Sequence, residues 1–477
     1  MLWLGLDLPR LPLEVFPGEA TPSRPFAVTA MSGGMRRIAL ANPLAREAGI
    51  RPGMSLSTAL SLDGDLQSKD RDPATEQRAL EDLAAWAGQF TSFVSLDPPR
   101  GLLLEIEGSL SYFHGLDPLR RQFAAGLAAL GFHGHTAVAP TPLGASLLAR
   151  TGREPAMTDQ GDLAVALGEL PLAYLDLPDP DLEALRGLGL QQIADCRKLP
   201  RDGLARRLGT RFLNDLDRAF GHRPDPRPAF QPPESFDQEL PLPAEVTSTQ
   251  ALIFAVRRLV LALCGFLQGR DRGVQHYTLC LFHRDAPADE LRLELVSPGR
   301  DADHLLALLQ ERLDRFELQA PVETIALRAD KLLPLADNHP RLFAEDRDSA
   351  DTAERLMERL QAHLGQEAVT GIRPAADYRP EHAWRPCTPG PRQAVSHCPE
   401  RPLWILERPR PLDTRDGQPI HDGHLEILQG PERIESGWWD GQDVARDYYT
   451  ARTAAGERLW IFHDLRNDDW FLQGWFG

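Results

Sequence analysis

The chain opens on Leu2-Trp3-Leu4-Gly5-Leu6-Asp7, a short apolar run ending in an acid, which predicts a buried strand that carries Asp7 to its C-terminal edge. Between residues 43 and 62, apolar positions recur on either side of Gly49 and Gly53 and predict two helical segments joined by a turn. Leu80, Leu83, Ala84 and Phe90 recur near helical spacing and place a long helix over 74–90. Phe93-Val94-Ser95-Leu96-Asp97 follows, then Leu102-Leu103-Leu104-Glu105-Ile106-Glu107, whose later half alternates as a half-buried strand does. Asp7 and Asp97 are therefore expected to end two strands of one sheet. Helices over 117–131 and 144–150 with a strand over 135–139 extend the mixed pattern to about residue 165, the pattern of an α+β domain.

From 180 to 221 the pattern changes to short helices with glycine hinges. The Gly187-Leu188-Gly189 turn reads either as a tight helix junction or as a helix-hairpin-helix whose backbone N–H groups grip a phosphate. A proline-laden connector over 222–235 reads as a semi-rigid spacer. Next comes a second α+β unit: helix 249–268, strands 276–283 and 291–296, helix 302–315 and strand 322–328. Arg257, Arg258, Arg270, Arg272, His276, Arg284 and Arg292 lend this unit a basic tendency, to be read as a nucleic-acid surface or as an ordinary solvated face. A helix is expected over 352–364, with Asp351 and Glu354 as a capping pair. Of the nine tryptophans only Trp3 and Trp86 precede Trp384, and the last stretch reads as strands joined by a turn at Ala454-Ala455-Gly456-Glu457, a small β-rich module.

A chain of 477 residues, 42% of them hydrophobic, has room for about three domains with real cores. No run of some 18 to 20 uninterrupted apolar residues occurs, and the first residues lack a basic region and a cleavage site, so a soluble cytosolic protein without membrane partners is expected. Five scattered cysteines suggest reduced thiols, and Cys387, His397 and Cys398 lie in a proline-rich stretch without a fourth ligand at a familiar metal spacing. The net charge of −17 argues against a uniformly basic surface but leaves room for a local basic groove.

The strand ending in Asp7, the segment ALANPLAREAGIRPGMSLSTAL, the Ser95-Leu96-Asp97 triplet and the strand after it together resemble the Y-family translesion DNA polymerases. The resemblance covers about residues 1–335. It implies palm and fingers over 1–170, a helical thumb with helix-hairpin-helix over 171–222, a proline-rich linker over 223–244 and a little finger over 245–335. Gly187, Gly189, Arg257, Arg258, Arg270 and Arg272 are then the expected DNA contacts. Residues 336–350 become a linker with a clamp-binding peptide, and 351–477 a C-terminal interaction region. The C-terminal GPERIESGWWDG, RDYY and LWIF resemble the ImuB-type branch of the family, the polymerase homologues of bacterial mutasomes.

An active member needs three carboxylates around two magnesium ions, to activate the primer hydroxyl and neutralise the triphosphate. Asp7 and Asp97 match two of them; the third position is Pro98, which has no side-chain oxygen. Glu105 is the nearest substitute acid to consider. The aromatic steric gate of active relatives falls on Pro12, and the fingers tyrosine on Pro43, with its companion arginine kept as Arg46. The phosphate-binding lysine falls on Glu154, or on Arg153 with a one-residue shift. The resemblance thus implies a polymerase fold without a maintained catalytic centre and with no cofactor, Mg2+ entering only if the chain is an active polymerase using Asp7 and Asp97. His339, Leu342 and Phe343 are similar to a clamp-binding peptide, with His339 in place of the usual glutamine, and compete with a plain interdomain linker. The implied partners are DNA, the β sliding clamp, a RecA-like ImuA subunit and an error-prone C-family polymerase. Trp438, Trp439, Tyr448, Tyr449 and Trp460 are read as partner anchors or as the core of a small β module.

Overall fold

The computed structural model describes residues 1–16, 18, 24–335, 345–389 and 400–476, with the backbone alone for 345–353 and 366. These form two compact units, Met1–His363 and Leu364–Gly477.

The first 150 residues run β1 (Trp3–Asp7), α1 (Leu11–Glu14), β2 (Phe26–Ser32), β3 (Met35–Ala41), α2 (Pro43–Glu47), α3 (Leu56–Leu62), β4 (Gln67–Asp70), α4 (Pro73–Ala87), β5 (Val94–Asp97), β6 (Gly101–Glu105), α5 (Leu116–Ala129), β7 (His135–Ala139) and α6 (Pro142–Ala149). The palm is a four-stranded antiparallel sheet in the order β5-β6-β1-β7. Strand β1 is buried along its whole length because both its faces are covered. Leu4 and Leu6 join the core that includes α4 and α5, while Trp3 joins Leu103, Ala137 and Ala145 on the other face. Gly5 lets α6 lie against β1, since a Cβ there would come within 2.6 Å of the Ala145 backbone. The fingers are a smaller sheet, β3-β2-β4, over a core of Ala27, Ile38, Ala45, Ile50 and Ala59. The two predicted helices around Gly49 and Gly53 are α2 and α3, capped by Asn42 and Ser55.

The thumb consists of α7 (Gln160–Gly168), α8 (Asp179–Gly187), α9 (Ile193–Arg197) and α10 (Arg201–Ala219), the last kinked at Gly209. Its core draws together Leu163, Leu185, Ile193, Cys196, Phe212 and Leu216. The connector ends sooner than the expected 223–244, because β8 (Phe236–Val246) already belongs to the little-finger sheet. That unit continues with α11 (Thr249–Gly269), β9 (Arg272–His283), β10 (Asp289–Gly299), α12 (Ala302–Leu313), β11 (Val322–Ala329) and β12 (Leu332–Pro334), in the sheet order β10-β9-β11-β8. Helix α11 is long and apolar enough, at mean hydropathy 1.8, to cross a membrane by length and composition, although Arg257 and Arg258 interrupt its apolar run. Here it is a core helix. Leu259, Leu263, Phe266 and Leu267 join one apolar cluster with the palm residues Leu83, Trp86 and Phe123. Gly265 sits against the Trp86 indole where any Cβ would collide, so palm and little finger share a core.

The expected capping pair is replaced by a longer helix, α13 (Glu345–Leu364), which starts before Asp351 and packs on the little finger. Its Glu358 accepts a hydrogen bond from the Val296 N–H at 2.7 Å and pairs with His304 at 2.5 Å, and its Glu354 accepts one from Ser297 at 2.8 Å.

In the second unit, β13 (Gly371–Pro374) pairs with β14 (Trp384–Cys387), and β15 (Trp404–Pro411) leads to the small hairpin β16 (Asp413–Arg415) and β17 (Gln418–Ile420). The strands β18 (Glu426–Ser436), β19 (Val444–Arg452), β20 (Arg458–Asp464) and β21 (Asp469–Trp475) complete an antiparallel sheet in the order β15-β21-β20-β19-β18. The expected glycine turn joins β19 to β20 with Gly456 at φ +93°. Among the described residues Cys196, Cys264, Cys280 and Cys387 are free thiols; His397 and Cys398 lie outside them.

Candidate functional site

Asp7 and Asp97 converge. Strand β6 lies between β1 and β5, and its Gly101 is the register partner of both acids, so the two carboxylates face one cavity of about 350 Å³. Leu40 of the fingers, Pro12 of α1, Pro99, Arg71, Arg100 and Arg150 also line it. Glu105 is excluded as a third ligand: it pairs with Trp3 at the opposite end of the sheet.

Each carboxylate is already engaged by guanidinium groups. Arg100 Nε donates to Asp7 Oδ1 at 2.8 Å. Burial pushes the Asp7 carboxyl above its ordinary value, and Arg100 works against that rise. Arg227, from the connector, donates to Asp97 Oδ1 at 3.3 Å, while Ser146 Oγ donates to Oδ2 at 2.5 Å and Arg150 stands 3.8 Å from it. Arg150 also pairs with Asp176 at 2.9 Å, and Arg227 with Asp225 at 2.9 Å. Arg71 is held in a two-bond fork by the buried Glu76, both distances 2.7 Å. A two-metal centre needs anionic oxygens free to ligate, and this donor set does not fit one: two acids are charge-matched by arginines and the third position is proline. Among the described residues no group of three or more His, Cys, Asp or Glu is arranged to hold a metal ion.

The other expected nucleotide contacts lie elsewhere. Pro43 begins α2, and Arg46 on the same short helix is exposed and does not line the cavity. Arg153 and Glu154 are exposed and also outside it, the Glu154 carbonyl accepting a bond from Arg120 at 2.9 Å. The cations that matter, Arg100, Arg150 and Arg227, were missed because they lie far apart in sequence; only Arg100, directly after Asp97-Pro98-Pro99, gave a local signal.

The expected DNA contacts divide. Gly187 ends α8 and Gly189 takes φ +81°, a turn that the missing Cβ permits. Yet every backbone N–H from Leu188 to Ile193 is bonded within the chain, those of Gln191 and Gln192 to the Asp195 carboxylate at 3.1 Å each. Those N–H bonds, led by Gln191, together with Lys198, hold Asp195 down to about 2. The phosphate-gripping form of this turn is thus closed by its own acid. Arg257 and Arg272 are exposed. Arg258 instead turns to the palm, its guanidinium 5.0 Å from the Phe132 ring, and burial pushes it down to about 10 despite the nearby Glu14. Arg270 stacks on Phe266 and donates to the Pro232 carbonyl at 2.6 Å, holding the connector.

The tail residues also separate. Trp460 and Tyr448 are core, at 3% and 1% exposure, stacked 4.3 Å apart, and burial pushes the Tyr448 hydroxyl up to about 12. Tyr449 packs on Trp470 at 5.3 Å. Trp438 and Trp439 stand out at 80% and 56% exposure. Their loop is braced by Arg379, itself buried, which forks onto Asp377 and Asp440 at 2.7 and 2.6 Å. His339, Leu342 and Phe343 lie outside the described residues.

An antiparallel palm ending in paired aspartates, small fingers, a helical thumb, a little finger and an added β module together define a Y-family polymerase-like fold. The chain is 29% identical over 458 residues to Protein ImuB of Caulobacter vibrioides, strains NA1000 / CB15N and ATCC 19089 / CIP 103742 / CB 15 alike, covering 90% of this chain and all of the relative. Over nearly its whole length it is thus similar in sequence to ImuB proteins. No protein-family profile matches it. Solved structures similar to it include DinB from Sulfolobus solfataricus, at 16% identity and a TM-score of 0.38, and an insertion ternary complex of Dbh DNA polymerase, at 15% and 0.39; each covers 70% of this chain and all of its own.

Proposed function

We propose that this chain is a non-catalytic Y-family polymerase homologue that binds DNA and serves as the hub of an error-prone translesion complex in the SOS-type response to DNA damage. One observation carries the reading: the two remaining active-site acids are matched by Arg100 and Arg227, with Pro98 in the third place. With no metal gripped there, what remains to the fold is positioning. The cytoplasmic, nucleoid-associated chain holds DNA by its backbone, engages the β sliding clamp through residues 339–343, and offers its tail to a RecA-like ImuA subunit and an error-prone C-family polymerase. The exposed, braced Trp438 and Trp439 suit such a partner surface, because rigid aromatics are favoured interface anchors.

The convergence of Asp7 and Asp97 on one cavity favours a second reading, an active translesion polymerase with an unrelated third acid. Primer extension by the purified full chain with magnesium or manganese separates the two. The expected result is no nucleotide addition; addition abolished by Asp7→Ala would overturn the scaffold.

A further inference from the structure

The connector between thumb and little finger is not a loose spacer. The His222 N–H donates to the Asp217 carbonyl at 2.7 Å. Asp225 accepts from the Leu143 N–H at 3.1 Å and from Arg227 Nη2 at 2.9 Å. The Phe230 N–H then donates to the Val94 carbonyl of the edge strand β5 at 2.7 Å, and Arg270 closes on Pro232. In the middle of this path Arg227 reaches Asp97, an acid that in an active relative would ligate metal. Both partners are mostly shielded, with side-chain exposures of 18% and 14%, so their attraction is less screened than that of a surface pair.

We propose that Asp97 and Arg227 form a latch that fastens the thumb-to-little-finger connector across the former metal edge of the palm. The residual acid is retained there as a positioning residue. Ser146 and Arg150 aim its second oxygen, Asp225 aims the guanidinium, and the connector's backbone bond to β5 follows from that placement. The thumb, which precedes the connector, and the little finger, which follows it, are thereby held in one arrangement.

The test is hydrogen–deuterium exchange of the connector amides in the full chain, without DNA or partners, so that its failure would leave the scaffold reading standing. Asp97→Asn, which keeps an acceptor for Ser146, and Arg227→Gln are each expected to speed exchange at Phe230 about tenfold, and the double variant no further than either alone. Spin labels on thumb and little finger are expected to report a broader distance distribution in both single variants. Unchanged Phe230 exchange in Arg227→Gln, or additive effects in the double variant, would overturn the latch. So would faster exchange on adding magnesium to the unaltered chain, abolished by Asp7→Asn, because the acids would then be metal ligands that the arginine only shields. If Asp97→Asn does not fold, Arg227→Gln alone decides, since it alters only a connector side chain.

Discussion

The later part of the thumb and the little finger are both expected to meet DNA, yet they carry charge differently. Residues 186–223 hold nine Lys and Arg against four Asp and Glu, in a chain whose totals are 52 against 69. Arg206, Arg207 and Arg211 of that stretch are exposed on either side of the Gly209 kink. Residues 236–334 hold eleven against fifteen. On the open face of the little-finger sheet Arg328 pairs with Asp237 at 3.2 Å, Arg292 with Glu290 at 3.3 Å and His276 with Glu294 at 3.6 Å; Arg284, just past β9, is held by Glu245 and Glu323. Counting arginines gives both regions a basic tendency. In the thumb stretch Lys198, Arg201, Arg211 and Arg218 are paired with carboxylates too, so its basic tendency rests on its smaller share of acids and on Arg206 and Arg207, because a cation matched by a neighbouring carboxylate projects little field.

The sharpest way to break this contrast is to reverse the thumb. Arg206→Glu, Arg207→Glu and Arg211→Glu together are expected to weaken DNA binding about a hundredfold at low salt and to flatten the log affinity against log salt plot by about 3, measured by anisotropy titration across salt concentrations. A smaller effect is expected from the little finger: Arg257→Glu with Arg272→Glu lowers affinity about fivefold, since few phosphate contacts are at stake. Equal losses from the two sets would dissolve the contrast.

Smallest of all is the turn of the helix-hairpin-helix. Asp195→Asn removes the acid that occupies the Gln191 and Gln192 N–H groups and is expected to raise DNA affinity about twofold to threefold. The same acid gives a signed pH dependence. Its folded value lies below its ordinary one, so the stability it contributes is present above pH about 4 and is lost as pH falls towards about 2. Acid unfolding of the thumb helices, followed by circular dichroism, is expected to lose that component in Asp195→Asn.

Much of the fold is legible along the chain, and the reason is local. The apolar run before Asp7, the spacing of Leu80, Leu83 and Ala84, and the glycines at 49 and 53 each settle a strand, a helix or a turn within one element. The fingers strands β2 and β3 escaped because their outer halves, with Arg36 and Arg37, carry too little apolar alternation to be read. Strand β8 escaped because Pro241 and Pro243 give it the composition of a linker, although an edge strand tolerates proline. Helix α11 was read correctly as a helix, but nothing in its pattern tells that its Gly265 side is reserved for Trp86.

The sequence by itself determined most of the element types and placed Pro98 directly after Asp97, because each depends on residues close together in the chain. Only the tertiary structure decided that Arg227 meets Asp97 across 130 positions, that Arg258 serves the palm, and that Trp460 is core while Trp438 stands in solvent. Charge pairing and burial are properties of neighbours in space, and folding chooses those neighbours from the whole chain at once.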